Sequence, residues 1–274
     1  LDDEDFSLTI DKANYFAFKV DDIEEAHSHV NFQSLASDRA AYRLGDQFDQ
    51  DVLGYLTGFK QSATHGSPDT VNTTTNGSVA VSTAGTDELL SSMKIDAAAF
   101  GGSAGASLAL QPRTGGATDS TPAAGDTFPL TVIARMSRLL DQQNVDTQGR
   151  WLVVDPVFME LLKDEDSRLF NADFGGSGLQ NGQVGTNIHG FRVYTSNNLP
   201  TVGTGPSFTG TNSTTNYGMI VAGHDSAVAT AEQINKTETY RDPDSFSDIV
   251  RGMHLYGRKI LRPEALVNAK YHLA

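Results

Sequence analysis

Cysteine is absent from all 274 residues. That excludes a disulfide scaffold, thiolate metal sites and thiol catalysis, and it fits a reducing compartment. Cations are scarce: 20 Lys and Arg face 34 Asp and Glu, for a net charge of −14 at pH 7, with a pI near 4.7. A dedicated nucleic-acid binder needs a basic face to displace phosphate counterions, so this balance argues against one. Hydrophobic residues at 38% and charged residues at 20% fall below the usual globular share. Gly, Ser, Thr and Asn fill the difference, which predicts much loop or thin sheet. No apolar run approaches the roughly 18 residues of a membrane span, and no signal-peptide pattern opens the sequence. The chain begins at Leu1 without a methionine, which points to residues upstream. Its length suits two cores or one large mixed domain.

What is present is arranged by charge and by period. Residues 1–25 hold nine carboxylates, four of them in Asp2, Asp3, Glu4 and Asp5, against Lys12 and Lys19, a local net of −7. Inside this segment Leu8-Thr9-Ile10 and Asn14 to Val20 read as two strands, with Asp11-Lys12-Ala13 as the turn. A two-stranded ribbon is marginal alone, so it is expected to lie on its own body or on a neighbour's. Asp21 or Asp22 caps a short turn-rich piece. A longer helical pattern then runs from Asn31 to Phe59, with Ala36, Ala40, Leu44, Phe48, Val52 and Leu56 on one stripe. Such a helix extends about 44 Å and reads as a spine along which a sheet packs. Asp38, Arg39, Asp46, Gln47 and Gln50 form its wetted face, and Gly66 and Pro68 stop it.

Three polar stretches, 61–85, 101–125 and 201–217, read as loops, the first with an Asn76-Gly77 hairpin signal. Ordinary elements lie between them. Phe128-Pro129, with Asp126 upstream, starts a helix through Ile133, Met136 and Leu140. Arg150 to Val154 is a buried strand, and Asp155-Pro156 caps a helix carrying Phe158, Leu161 and Leu162. Phe191 to Thr195 alternates as a half-buried strand, and Met219 to Ala222 is a buried one. From Ile234 to Leu273 the chain alternates repeatedly. Residues 251–274 carry five cations, Arg251, Arg258, Lys259, Arg262 and Lys270, against Glu264, a net of +4. Ends of opposite charge invite contact, within one chain or between chains.

Catalytic motifs are weak. Gly101-Gly102-Ser103-Ala104-Gly105 satisfies G-x-S-x-G, the strained elbow that presents a serine nucleophile between a strand and a helix. Helix-leaning Asp96 to Phe100 precedes it and Pro112 soon follows, so the context is wrong, although Asp155, His189, His224 and His254 lie downstream. His27 and His29 sit about 200° apart on a helix and cannot share a metal there. Asp164-Glu165-Asp166 and Asp242 with Asp244 lack the spacing of a calcium loop. Gly175, Gly176, Gly178 and Gly182 lack the order of a dinucleotide fingerprint. The reading is therefore of a protein without catalytic residues, cofactor or metal.

The order of segments carries more. Asn14 to Ile23 (NYFAFKVDDI) leads directly into the long helix. Trp151 to Phe158 (WLVVDPVF) joins a strand to a proline-started helix. Gly185 to Pro200 (GTNIHGFRVYTSNNLP) and Thr239 to Val267 follow. At these residues the chain resembles tailed-phage major capsid proteins of the Hong Kong 97-type fold. The resemblance implies an α+β, wedge-shaped subunit: an extended loop (1–28), a spine helix of a peripheral domain (29–60), polar loops and the start of an axial domain (61–128), the axial domain (129–235), and returning peripheral strands (236–274). It implies self-assembly into hexamers and pentamers of an icosahedral shell around double-stranded DNA, held without sequence-specific contacts or a membrane. It further implies portal, scaffolding and decoration proteins as partners and a place in the virion after assembly in the host cytoplasm. The family's usual N-terminal arm is not evident, which suggests an incomplete start. The alternatives are an encapsulin-type compartment shell and, far behind, a hydrolase using Ser103. The inter-subunit expectation is that Asp2, Asp3, Glu4 and Asp5 lie against Lys259, Arg262 and Lys270 of an adjacent subunit.

Overall fold

The computed structural model describes residues 7–21, 32–57, 59–61, 68–70, 89–111, 126–163, 187–202, 205–206 and 217–273. In chain order the first strands are β1 (Lys12–Asp21), β2 (Phe59–Gln61), β3 (Pro68–Thr70), β4 (Lys94–Ile95), β5 (Leu108–Leu110), β6 (Asp126–Thr127) and β7 (Arg150–Val154). Then come β8 (Asn187–Ile188), β9 (Phe191–Thr195), β10 (Thr201–Val202), β11 (Tyr217–His224), β12 (Val228–Arg241), β13 (Ser247–Ile260) and β14 (Leu266–Leu273). Helix α1 spans Phe32–Thr57, α2 Pro129–Gln142 and α3 Pro156–Leu162. Two compact units result: Leu1–Asp49 with Val228–Lys259, and Gln50–Ala227 with Ile260–Ala274.

The smaller unit is built on a three-stranded sheet in the order β1-β13-β12. β1 pairs antiparallel with β13 over its whole length, from Lys12 opposite Tyr256 to Asp21 opposite Ser247. Strict alternation sends Asn14, Phe16, Phe18 and Val20 to the inner face, where they meet the buried Val250, Gly252, His254 and Tyr256. Phe48 of α1 closes this face, edge-on to Tyr256 at 4.8 Å and tilted against His254 at 5.5 Å. His254 and Tyr256 stack on each other at 5.0 Å. Such offset and edge-on geometries are those the ring quadrupoles favour.

The larger unit is built on a sheet in the order β6-β5-β14-β11-β7-β9-β8, with β10 on β11 and β4 on β14. β14 takes β11 as an antiparallel neighbour and β4 and β5 as parallel ones. Being covered on both faces, it is buried at every position but His272. Helices α2 and α3 supply Ile133, Met136, Leu140 and Phe158 to the core, all fully buried. Pro129 occupies the first turn of α2, where its fixed φ suits the helix and its missing N–H costs nothing. α3 starts at Asp155, whose Oδ1 accepts from the Phe158 N–H at 3.0 Å. The same carboxylate accepts the Tyr271 hydroxyl, and Phe158 meets the Tyr271 ring edge-on, so one buried acid ties α3 to β14. Burial pushes the Asp155 carboxyl above its usual range, against the pull of the Tyr271 and Phe158 hydrogen bonds. Arg150, 2% exposed, is fully engaged: Nε to the Asp146 carbonyl, Nη2 to the Val145 carbonyl and to Asp141.

Several expectations are met closely and others are corrected. α2, β7, α3, β9 and β11 fall where periodicity and proline placed them. The spine helix has 26 residues, about 39 Å. It ends where Thr57 Oγ1 turns back on the Leu53 and Gly54 carbonyls. Leu8 to Ile10 is not a strand, and Asp11 to Ala13 is not a turn: β1 is one strand on its own chain's β13. Gln50 is buried rather than wetted, its Nε2 donating to Asn198 Oδ1 at 3.3 Å. Asp126 belongs to β6 and does not cap α2, whose N-cap is Phe128. Leu108 to Leu110, inside a stretch read as polar loop, is a buried strand beside β14. The closing strand 266–273 belongs to the larger unit's sheet and not with the 228–259 strands. The Asn76-Gly77 signal, the glycines from 175 to 182, the 21–28 piece beyond Asp21 and Asp164 to Asp166 lie outside the described residues.

Asp155→Ala removes a helix cap and orphans the buried Tyr271 hydroxyl. It should lower unfolding free energy by about 2 to 4 kcal/mol. Asp155→Asn, whose amide oxygen still accepts, should cost less. Urea denaturation midpoints of the two variants check the order.

Candidate assembly surface

The three cations singled out by charge have different surroundings. Lys259 donates from Nζ to the Ser7 carbonyl at 2.9 Å. Two residues earlier, a Cβ on Gly257 would sit 2.3 Å from the Thr9 carbonyl oxygen and 3.0 Å from Ile10 Cα. Residues 7–10 therefore run tightly over β13 of their own chain, and only glycine at 257 allows the approach. Arg262 lies in the larger unit, its Nε donating to Glu264 at 2.9 Å and its Nη1 reaching Ser226. Lys270 is inside that unit at 4% exposure, with its ammonium on the Gly105 carbonyl and 5.6 Å from the centre of the Tyr217 ring. Burial lowers its pKa, partly offset by Asp96. Lys270 is thus no surface cation of the subunit. Asp2, Asp3, Glu4 and Asp5 lie outside the described residues.

The G-x-S-x-G run has no elbow. A short 3-10 turn, Ala97–Phe100, precedes it, and Gly101 and Gly105 take φ of 85° and 79° in an exposed loop. Asp96 organises that loop, accepting from the Ala98 N–H at 3.1 Å and the Gly105 N–H at 2.7 Å. The histidines downstream are engaged elsewhere: His224 with Ser226 and the Gln148 carbonyl, His254 with Glu232. Among the described residues no cluster of His, Asp or Glu is arranged to hold a metal, and no helix is long and apolar enough to cross a membrane.

What the sheet of the smaller unit presents is a surface. Its outward positions on β1 are Ala13, Tyr15, Ala17, Lys19 and Asp21. Opposite them on β13 stand Leu255, Met253, Arg251, Ile249 and Ser247. The ions here are paired within the sheet. Glu238 accepts from Lys236 and from Arg251 Nη2, the latter at 2.9 Å, and Arg251 also lies 5.1 Å over the Tyr240 ring. Arg241 reaches Asp248 at 3.4 Å. At the β12–β13 turn Asp242 collects Lys19 Nζ at 2.6 Å, Ser245 Oγ at 2.7 Å and the Asp244 N–H at 3.1 Å. Hydrogen bonds from Lys19, Ser245 and the Asp244 backbone hold the Asp242 carboxyl down at about 2; those from Lys236 and Arg251 bring Glu238 to about 2. Phe246, 79% exposed, stands at this turn. Composition and alternation found the strands, but sequence reading missed this surface. Its only signal was the uncharged run Ala13 to Phe18 between lysines.

A family model for phage capsid proteins matches residues 4–269. Among solved structures, one from Mycobacterium phage Che8 is similar at 26% identity with a TM-score of 0.60, covering 95% of this chain and 71% of that one. The capsid of cyanophage P-SCSP1u is similar at 18% identity and a TM-score of 0.63, covering 97% and 73% of the two chains. The mature capsid of bacteriophage PhiM1 follows at 19% and 0.58, covering 99% and 76%. No curated protein sequence matches.

Because Asp242 titrates below its ordinary value, its bonds at the β12–β13 turn are complete above pH 4 or so. They are lost as pH falls toward 2. Carboxyl NMR should place its midpoint near 2, and Lys19→Gln should move that midpoint upward. An unmoved midpoint would show that Lys19 does not hold the acid.

Proposed function

The chain belongs to the phage capsid protein family and is a major capsid protein of the Hong Kong 97-type fold, and from this premise we propose that its copies close an icosahedral shell of hexamers and pentamers around double-stranded DNA. The observation that carries the reading is the family match, which runs across nearly the whole chain and both units. The smaller unit is the peripheral domain and the larger one the axial domain, with β14 assigned to the latter. The role is structural, without a catalytic step. Portal, scaffolding and decoration proteins are its further partners, and assembly takes place in the host cytoplasm before the protein resides in the virion.

Two physical features support the reading. A three-stranded sheet can bury one face on α1 and needs a neighbour for the other. The −14 charge lets the inner wall repel rather than grip the genome, so DNA can slide during packaging. Electron microscopy of the purified protein tests it: large shells containing DNA support the virion reading. Small cargo-filled shells would indicate a cellular compartment instead, and monomers under all conditions would refute shell formation.

The acidic start remains part of the proposal in altered form. Asp2, Asp3, Glu4 and Asp5 meet Lys259 and Arg262 of an adjacent subunit; Lys270 drops out because it is buried. A Lys270→Glu change would bury a carboxylate and test folding, not assembly. Lys259→Glu with Arg262→Glu should leave circular dichroism and melting close to wild type while abolishing shells. Normal particles from that double variant would overturn the pairing.

A further inference from the structure

An antiparallel sheet with one wet face ordinarily alternates apolar inside with polar outside. β1 keeps that rule on its inner face and breaks it on the outer one. Ala13, Tyr15 and Ala17 fill three successive outward positions. Tyr15 is 80% exposed, and Met253, its register partner on β13, is 41% exposed. Directly opposed residues have Cβ atoms about 5 Å apart, so the two side chains form one apolar step in the middle of the sheet.

The charge around this step is equally unusual for the chain. Residues 7–21 and 228–259 together carry seven Lys and Arg and seven Asp and Glu, a net of zero in a protein of −14. The cations nearest the step are held within the sheet: Arg251 and Lys236 by Glu238, Lys19 by Asp242.

We propose that the outer face of β1 and β13, centred on Tyr15 and Met253, docks a second copy of this chain. The inference rests on the coat-protein reading and names the surface through which it acts. Copies at −14 repel one another, and repulsion is least where the local charge sums to zero and Lys19, Lys236 and Arg251 already face carboxylates. A polyanion such as DNA is a poor occupant for the same reason, since Lys19, Lys236 and Arg251 are engaged by carboxylates. Tyr and Met are residues that desolvated protein interfaces favour, and a rim of internally paired ions approaches a like surface with little penalty.

The test uses the full chain with Tyr15→Glu and Met253→Glu combined, and Tyr194→Glu on the larger unit as a control, since Tyr194 is also exposed. Folding is followed by circular dichroism and assembly by sedimentation velocity and electron microscopy. The double variant should remain folded and need at least about tenfold more protein to assemble, equivalent to about 1.4 kcal/mol per subunit, while the control assembles as wild type does. If the glutamates prevent folding, Tyr15→Ser with Met253→Ser gives the same readout. Assembly of a folded double variant at wild-type concentration would overturn the docking face and leave the coat reading standing. An equal loss in the control would overturn it too, by showing a general effect of added charge. Wild-type protein that forms no shell would instead remove the coat reading and this inference with it.

Discussion

One aromatic cluster closes the inner face of the β1-β13-β12 sheet, and among the described residues of the smaller unit no second cluster closes the other. Phe48 supplies the ring that His254 and Tyr256 pack against. Gly252 is compelled by the same crowding: a Cβ there would lie 2.4 Å from the Phe16 ring. Every large inward side chain of β1 and β13 is thus committed to one side. A sheet so arranged has its backbone paired and half its side chains buried, yet it keeps an outer face on which Tyr15 and Met253 stay exposed. Tyr15, Met253 and Phe246 are exposed for this reason.

The larger unit meets a different demand, because β14 is buried while carrying Asn268, Lys270 and His272 on one face. Buried polar groups need partners that do not come from water, and Asn268, whose side-chain amide finds none among the described residues, is the exception. Lys270 reaches the Gly105 carbonyl, and the Gly105 N–H is itself held by Asp96. His272 meets Ser107 at 2.9 Å. The glycine-rich loop that mimics a nucleophile elbow is therefore a strap between the end of β4 and the middle of β14. Its glycines serve positive φ at 101 and 105, and Ser103 contributes its carbonyl, which accepts the Ala106 N–H at 3.2 Å. On the opposite face Tyr271 and Asp155 do the corresponding work for α3.

Legibility in the sequence follows the range of the forces involved. β7, the Asp155-Pro156 cap and α3 were readable because a continuous apolar run, an N-cap acid and an N1 proline act within a few residues. α2 and β9 were readable for the same reason. Leu108 to Leu110 was not, since three residues become a strand only through parallel pairing with β14, more than 160 positions away. Leu8 to Ile10 shows the converse: the residue types suit a strand, but the segment runs so close over Gly257 of β13 that a Cβ there would strike the Thr9 carbonyl. Lys270 looked like a surface cation because alternation in LVNAKYHL reads as one wet face. Burial of that face is set by β4, β5 and β11 and by no neighbour in sequence. Net-charge patterning gave the acidic start and the basic end, but not that Lys259 engages the Ser7 carbonyl of its own chain.

Charge then becomes informative through its distribution and not its total. The excess acid is carried mainly by residues 1–6 and 22–31 and by the 50–227 segment, whereas residues 7–21 and 228–259 of the smaller unit, turns included, sum to zero. A uniformly acidic chain would be soluble but would resist close approach of its copies everywhere. Concentrating the excess elsewhere removes that resistance from one surface without reducing it for the whole. The ion pairs at Glu238 and Asp242 contribute little to folding, being exposed. Their effect is to pair Lys19, Lys236 and Arg251 within the sheet that carries the Tyr15–Met253 step. An assembling protein needs that property, and a freely diffusing globule does not. Burial of the inner face and pairing of these ions are therefore two properties of the same short sheet.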